Sequence, residues 1–424
     1  MARKTKEQKA ERRRLAKELD KRNKEIFESV PSDKNKMSKL STLIPIHELE
    51  HSCQQQIYNA LNLDFVLKLA IMPDAHTGYL LCIGGVALLD GITSPNYVGY
   101  DVGCGMCCIV TDILFREAFK DMRAGRKVYE RILEAVPVGK GNWHKVGPDY
   151  KEFKSAGGFK KLDKMIESRL HVQLGTLGSG NHFIEIGPNK DGYLTVVLHS
   201  GSRKPGWWVG DHYMSLAFNE DKHLPNGFLD MDGDLGPAYF EDMNFFLEYA
   251  LENRRIMMEQ VLNVLGFRPK DISEMMRTRM INENHNHAVV SNNGLYLHRK
   301  GATPSEIGEF GVVPGNMCIG TCITKGLGND EFLKSASHGA GRKMSRGDAN
   351  RRWKADEKGY REQAEKMMKG IVGPRLSDVK DEVPAAYKDL DQVIGRQAGI
   401  VLTVMDRIKP DPGHRPSMIV VKGD

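Results

Sequence analysis

Side chains able to hold a metal or attack a phosphate are strung across residues 101 to 338, each set among glycines, and this spread governs what the chain can fold into. The strings are Gly99-Tyr-Asp101-Val-Gly-Cys104-Gly-Met106, Leu177-Gly-Ser-Gly180-Asn181-His182-Phe183-Ile184-Glu185, Leu198-His199-Ser-Gly-Ser-Arg203, Ile281-Asn-Glu-Asn-His285-Asn286-His287 and Ser337-His338-Gly339-Ala340-Gly341-Arg342. Division into independent domains would separate them, so one large catalytic body is expected. Flanking glycines allow tight turns and close approach of an ion. Carboxylate and thiol three residues apart suit a borderline transition metal better than calcium. Neutral imidazoles accept Mn, Fe, Co or Zn, and the carboxylate supports a harder ion such as Mn.

Composition narrows the class. Forty percent apolar residues and 43 glycines over 424 residues describe a soluble, turn-rich globular protein. No apolar run reaches about 18 residues, so no membrane span is expected. The N-terminal Met1-Ala-Arg-Lys-Thr-Lys has no apolar core of a secretory signal. Seven cysteines, an odd and low number, argue for a reducing compartment, and a cytoplasmic protein is expected. Residues 1–40 carry 14 Lys/Arg against 7 Asp/Glu, leaving 47 against 48 in the remainder. The basic character therefore belongs to an N-terminal helical arm, whose bland reading is an exposed helix or tail and whose sharper one is contact with a phosphate backbone.

Hydrophobic periodicity predicts buried strands over Leu80–Leu89, Met106–Ile113 and Leu194–Leu198, with His199 at the end of the last. Helical spacing from Phe240 to Leu265 predicts a long amphipathic helix stopped by Gly266. Met72–Gly78 reads as a loop, and 138–160 as a surface insertion. Strand character is expected over Met317–Ile323 and Ser417–Val421, and helix over 114–135, 350–370 and Tyr387–Ile408.

Two other chemistries compete. Cys104, Cys107, Cys318 and Cys322 have spacings compatible with a four-thiolate zinc site, but no small zinc module surrounds either pair, and three of them lie in apolar runs. The glycine strings at 175–180 and 338–341 could cradle phosphate, with Arg203, Arg342 and Arg346 supplying charge. Neither matches a Walker or Rossmann pattern. From the residues alone, the reading stops at a metal-dependent enzyme acting on a phosphate-bearing substrate.

Taken together and in order, the strings resemble the RtcB family of RNA-splicing ligases. The likeness runs from about Met72 to Lys422. It rests on Met72-Pro-Asp74-Ala-His76, Val98-Gly-Tyr-Asp101-Val-Gly-Cys104-Gly-Met106, Gly180-Asn-His-Phe-Ile-Glu185, Leu198-His-Ser-Gly-Ser-Arg203, His285-Asn286, Arg299-Lys-Gly-Ala302, Pro314-Gly315-Asn316-Met317 and the run Ser337–Arg346. The resemblance implies an α+β fold: one large catalytic domain over 41–424, with mixed β-sheets and surrounding helices, preceded by the basic helical arm at 1–40. It implies joining of RNA 3′-phosphate or 2′,3′-cyclic phosphate ends to 5′-hydroxyl ends, with GTP and two Mn²⁺. Asp101, Cys104, His182, His199 and His285 would be metal ligands, with Cys104 bridging, and His338 the nucleophile that takes GMP.

Carried over in the same way, the nucleotide site would comprise Asn181, His182, Phe183, Ile184, Glu185, His285, Asn286, Pro314, Gly315, Asn316, Met317, Thr321, His338, Gly339, Ala340, Gly341, Tyr387 and Lys422. Arg203, Arg342 and Arg346 would hold RNA phosphates. The implied partners are tRNA or rRNA fragments and an archease-like activator, with no membrane. The chain departs from the family pattern at Tyr79, where lysine is usual, and at Asn316 and Thr321, where serine is usual. The arm is not a general family feature either. These departures suggest a divergent branch serving RNA repair or tRNA splicing. Two alternatives are a 3′-phosphate guanylyl-capping enzyme that does not seal, and a non-catalytic RNA-binding descendant.

Overall fold

The computed structural model describes residues 34–423 except 220–223 and 292. The arm expected over 1–40 therefore falls almost wholly outside the described residues, apart from a short helix Lys34–Met37 and the start of strand Leu40–Thr42. The rest is the expected α+β fold. Among the described residues no helix is long and apolar enough to cross a membrane.

The central element is a six-stranded sheet ordered Ile371–Val372, Met418–Val421, Phe183–Pro188, Tyr193–Ser200, Gly105–Leu114 and Ile281–Asn284. Its middle strands are apolar on both faces because both faces are covered. Along Gly105–Leu114, Cys107 and Ile109 enter a core packed by the helices Met122–Ala135, Leu235–Leu265 and Pro269–Thr278. Met106 and Cys108 point the other way, onto Val312, Ile323 and Ile408 of a three-stranded sheet. Period-two alternation thus accounts for Cys107 and Cys108 as packing residues on opposite faces. A five-stranded sheet, ordered Leu40–Thr42, Val66–Tyr79, Leu81–Leu89, Tyr296–Lys300 and Asn286–Val290, packs on helix His51–Leu61 around a separate apolar cluster.

Several local expectations need correction. Met72–Gly78 is the second half of strand Val66–Tyr79, whose pairing with Leu81–Leu89 shifts register between Ile71 and His76. The irregularity absorbs Pro73 and the loop-like composition while the backbone stays extended. Tyr387–Ile408 contains only the short helix Leu390–Gly395, followed by strand Leu402–Ile408, because Gly399 adopts a left-handed φ of 78° between them. Helix 350–370 is two pieces, Arg346–Ala355 and Tyr360–Met367, separated where Asp356 takes φ 50°. Strand Thr321–Gly326 starts four residues later than expected, after a turn closed by Asn316. The stretch 138–160 is irregular, yet Phe153 anchors it in the core beside Phe246 and Tyr249. The long helix runs Leu235–Leu265 and ends on Gly266 at φ 90°, as its spacing and C-terminal glycine predict.

Candidate active site

Sheet order assembles the site. Phe183–Pro188, Tyr193–Ser200, Gly105–Leu114 and Ile281–Asn284 are consecutive antiparallel neighbours, with Phe183 opposite His199, and Gly105 opposite both Ser200 and Asn284. His182 precedes the first strand, His199 ends the second, Cys104 precedes the third and His285 follows the fourth. All four side chains therefore collect at one end of the sheet. Val421 pairs with Ile184, so Lys422 emerges at the same end.

Cys104 is central. Its Sγ lies 3.4 Å from His182 Nε2 and 3.2 Å from His199 Nε2, while His199 Nε2 lies 3.4 Å from His285 Nε2. Asp101 Oδ2 is 3.0 Å from His182 Nε2. Donor atoms of Cys104, His182 and His199 fall within 4.8 Å of one another, all three residues buried. His199 Nδ1 faces the Asn181 carbonyl at 3.1 Å, which leaves the Nε2 lone pair directed at the cluster. Gly201 is required beside Asp101, since a Cβ there would stand 2.5 Å from its Oδ1.

Beneath the cluster, the fully buried Arg254 of the long helix donates to the carbonyls of Gly103 and Ser200 at 2.9 Å each. It also donates to the amide oxygens of Asn282 and Asn284 at 2.7 and 2.6 Å. One side chain thus ties three strand ends to a helix.

Electrostatics fit a bound cation. Burial drives His199 and His285 well below the ordinary imidazole value, and neighbouring imidazoles add to it, so both are neutral donors. Burial works to raise Asp101, but His182 and Arg203 outweigh it and hold the carboxylate ionised. Burial and the Asp101 charge push the Cys104 thiol well up. A thiolate in such a place needs a compensating positive ion. The donor set of one carboxylate, one thiol and three imidazoles accordingly fits a transition-metal ion.

His338 joins this cluster to a cavity of about 300 Å³. Its ring is 4.8 Å, centroid to centroid, from His285. On its other side Nδ1 lies 2.7 Å from Oδ2 of Asp74, a fully buried carboxylate. Gly341, at φ 73°, packs so closely that a Cβ would come 2.3 Å from the Asp74 carbonyl oxygen.

Most expected nucleotide residues line the cavity: Asn181, Phe183, Glu185, Pro314 to Met317, His338 to Gly341, Tyr387 and Lys422. His182 and His285 lie in the metal cluster. Three others do not reach the cavity. Ile184 alternates away from Phe183 and Glu185 and packs in the core. Asn286 bridges backbone, donating to Asp101 O at 3.1 Å and accepting from Gly301 N at 2.7 Å. Thr321 is buried beside Glu185. Burial pushes the Glu185 carboxyl up to about 8, against the Thr321 hydroxyl.

Among the expected phosphate holders, Arg203 lies 3.0 Å from His182 Nδ1. Arg342 and Arg346 form the cavity wall and are committed to acidic partners. Those partners were not legible in the sequence. Glu382, buried, meets Lys422 at 3.0 Å, Arg342 at 3.1 Å and Arg346 at 2.5 Å, and accepts from the Tyr387 hydroxyl. Asp74 and His76 sat in a quoted motif without a role, although an acid two residues before a histidine in a Pro/Gly setting was a signal. The rival zinc site does not assemble: Cys107 and Cys322 occupy different apolar clusters, and Cys318 Sγ lies 3.4 Å from Met368.

Fold and site together define a class: an α+β body whose main sheet ends in side chains able to hold a metal ion, joined through one histidine to a cavity walled by charged side chains. The chain belongs to the RtcB family, whose model, described as tRNA-splicing ligase RtcB, matches residues 56–410. It is 32% identical to the RNA-splicing ligase RtcB of Escherichia coli K12, over 83% of this chain and 91% of the relative. It is 28% identical to the tRNA-splicing ligase RtcB of Methanococcus maripaludis, over 88% and 92%. Identity to RNA-splicing ligase RtcB homolog 1 of Entamoeba dispar is 27%, over 88% and 82%.

Proposed function

We propose that this protein is a GTP- and Mn²⁺-dependent RNA ligase that seals 3′-phosphate or 2′,3′-cyclic phosphate ends to 5′-hydroxyl ends. The observation that carries this reading is the placement of His338 between the metal-binding cluster and the cavity, with Nδ1 against buried Asp74. Asp101, Cys104, His182, His199 and His285 would hold two Mn²⁺, with Cys104 common to both. When bound, the ions supply charge neutralisation for the phosphates and Lewis acidity.

The residues' own parts follow from their positions. Asp74 flanks the His338 ring at Nδ1, and a ring nitrogen of His338 attacks the α-phosphorus of GTP. The P–N bond forms as the bond to pyrophosphate breaks. At a 2′,3′-cyclic end, water first adds to phosphorus and the bond to the 2′-oxygen breaks, leaving a 3′-phosphate; an oxygen of the 3′-phosphate then takes the GMP, freeing His338. Finally the 5′-hydroxyl attacks that 3′-phosphorus, losing its proton and expelling GMP. Glu185, Tyr387 and Lys422 surround the nucleoside, and the Gly339–Gly341 turn lies beside its phosphates. The Glu382 hub holds Lys422, Arg342 and Arg346 in fixed positions along that wall.

Incubation with α-labelled GTP and Mn²⁺ tests the first step. An acid-labile protein adduct is expected, and it is lost in His338→Ala. No adduct on the unmodified protein would refute the reading. A cleaved stem-loop with a cyclic phosphate and a 5′-hydroxyl then separates sealing from capping: the expected product is the closed strand, and a capped, unsealed 3′ end would replace ligase by capping enzyme.

A further inference from the structure

Three aromatic side chains from three separate elements converge beside the metal-binding cluster and belong to none of the apolar cores. Tyr79 ends strand Val66–Tyr79 and is 60% exposed. Its ring meets Tyr100 edge-on at 5.3 Å, and Tyr100 stacks on Trp207 at 5.4 Å with 16° between planes. Tyr100 directly precedes Asp101, so its Cα is about 3.8 Å from that of a metal-ligand candidate. Trp207 lies one turn along helix Arg203–Asn219 from Arg203, which touches His182. Tyr79 lies three residues beyond His76, which lines the cavity.

The ladder is built into the fold. Tyr79 is presented by a hairpin tip in which Leu80 takes φ 55°, a left-handed conformation unfavourable to a residue that bears a side chain. On the helix, Gly210 lets the Tyr100 backbone approach to the point where a Cβ would stand 3.4 Å from the Tyr100 Cα. Lys204, exposed, places its Nζ 3.1 Å from the Trp207 centroid, while the buried Lys300 donates to the carbonyls of Tyr79 and Asn96 and braces the hairpin tip from beneath.

An exposed ring backed by a fixed aromatic stack, with one exposed lysine nearby, is what an unpaired nucleobase and its phosphate require. We infer that Tyr79, Tyr100 and Trp207 form a stacking platform for the unpaired terminal base of the RNA strand whose end reacts at the metal cluster. This rests on the ligase reading and extends it to a substrate class, RNA ends with an unpaired last nucleotide. Stacking tolerates any base, so the platform selects single-stranded ends over blunt duplex ends without reading sequence.

The test uses the full-length protein and short oligoribonucleotides, one with a 3′-phosphate and one with a 5′-hydroxyl, each with its terminal base present or abasic. Binding is followed by tryptophan quenching and fluorescence anisotropy. For at least one end, removing the terminal base should weaken binding about tenfold, or about 1.4 kcal/mol. That base dependence should vanish in Tyr79→Ala, whose exposed side chain can be lost without unfolding, and in Trp207→Leu. Trp143→Leu, elsewhere on the surface, should keep it. Equal affinity for abasic and complete ends, or full base dependence in Tyr79→Ala, would overturn the platform. The adduct assay with labelled GTP is run on the unmodified protein in parallel, so that failure of the ligase reading is seen separately.

Discussion

Replacing Glu382 by Gln removes the carboxylate that faces the buried Lys422 ammonium while keeping the side-chain shape. Both partners are nearly inaccessible, with 3% and 4% of their side chains exposed, and lie 3.0 Å apart. Burial alone would raise the Glu382 pKa, but Lys422, Arg346 and Arg342 outweigh it and hold the carboxylate below its ordinary value. Removing one member of a buried pair typically costs about 3–5 kcal/mol, because the other charge is stranded. Two features put this case at the low end: a Gln oxygen still accepts from Lys422, and Arg346, 42% exposed, can turn to water.

At about 2.1 cal/mol/K per residue, unfolding this chain carries roughly 0.9 kcal/mol/K, so about 3 kcal/mol lowers Tm by about 3 °C. Thermal melts of Glu382→Gln and of the double variant Glu382→Gln/Lys422→Met should show the loss and its partial recovery, since the double variant removes the stranded Lys422 ammonium. The stabilisation is complete above the ordinary carboxylate pKa and drains away as pH falls through the depressed native value, so the two proteins should converge in acid. A single variant melting with the unmodified protein at neutral pH, or a double variant melting below the single one, would refute the reasoning.

Asp74→Asn preserves size but takes away the carboxylate that lies 2.7 Å from His338 Nδ1; adduct formation with labelled GTP should fall about 100-fold or more with little change in Tm. Cys104→Ala should abolish both Mn²⁺ binding, read by electron paramagnetic resonance, and guanylylation, whereas Cys107→Ala, a core packing change on the strand that follows Cys104, should largely spare them. The Glu185 carboxyl, pushed up to about 8 by burial, must lose its proton to accept from a guanine edge. GTP affinity measured by calorimetry should therefore drop about fiftyfold from pH 8 to pH 6, with proton release on binding, and Glu185→Gln should flatten that profile. Because the native pKa lies above the unfolded one, this group's contribution to stability falls as pH rises from about 4.5 through 8, and Glu185→Gln should gain stability over that span.

How far the sequence could be read depended on whether an interaction was local. The long helix was legible because its period and its terminal Gly266 are carried by neighbouring residues. The ligand candidates were legible because each sits in a short string whose glycines already declare a turn. Tyr387–Ile408 was misread because apolar residues at that density suit a short helix and a strand equally, and the break at Gly399 decides between them only when Leu402–Ile408 finds Thr321–Gly326 as a partner. Ile184 was carried into the nucleotide site with its neighbours because motif membership says nothing about which face of a strand a residue occupies.

The amino-acid sequence by itself determined the chemistry available: one carboxylate, one thiol and three imidazoles beside backbone turns, with a further histidine in a glycine cradle. Tertiary structure alone decided that these groups meet. The antiparallel order of four strands brings residues 104, 182, 199 and 285 to one end of a sheet. Likewise, burial of Asp74 and Glu382, acids of no special appearance in the chain, made one the orienting partner of His338 and the other the anchor of Lys422. Charges far apart in sequence acquire such roles only when folding removes them from water and sets them against fixed partners.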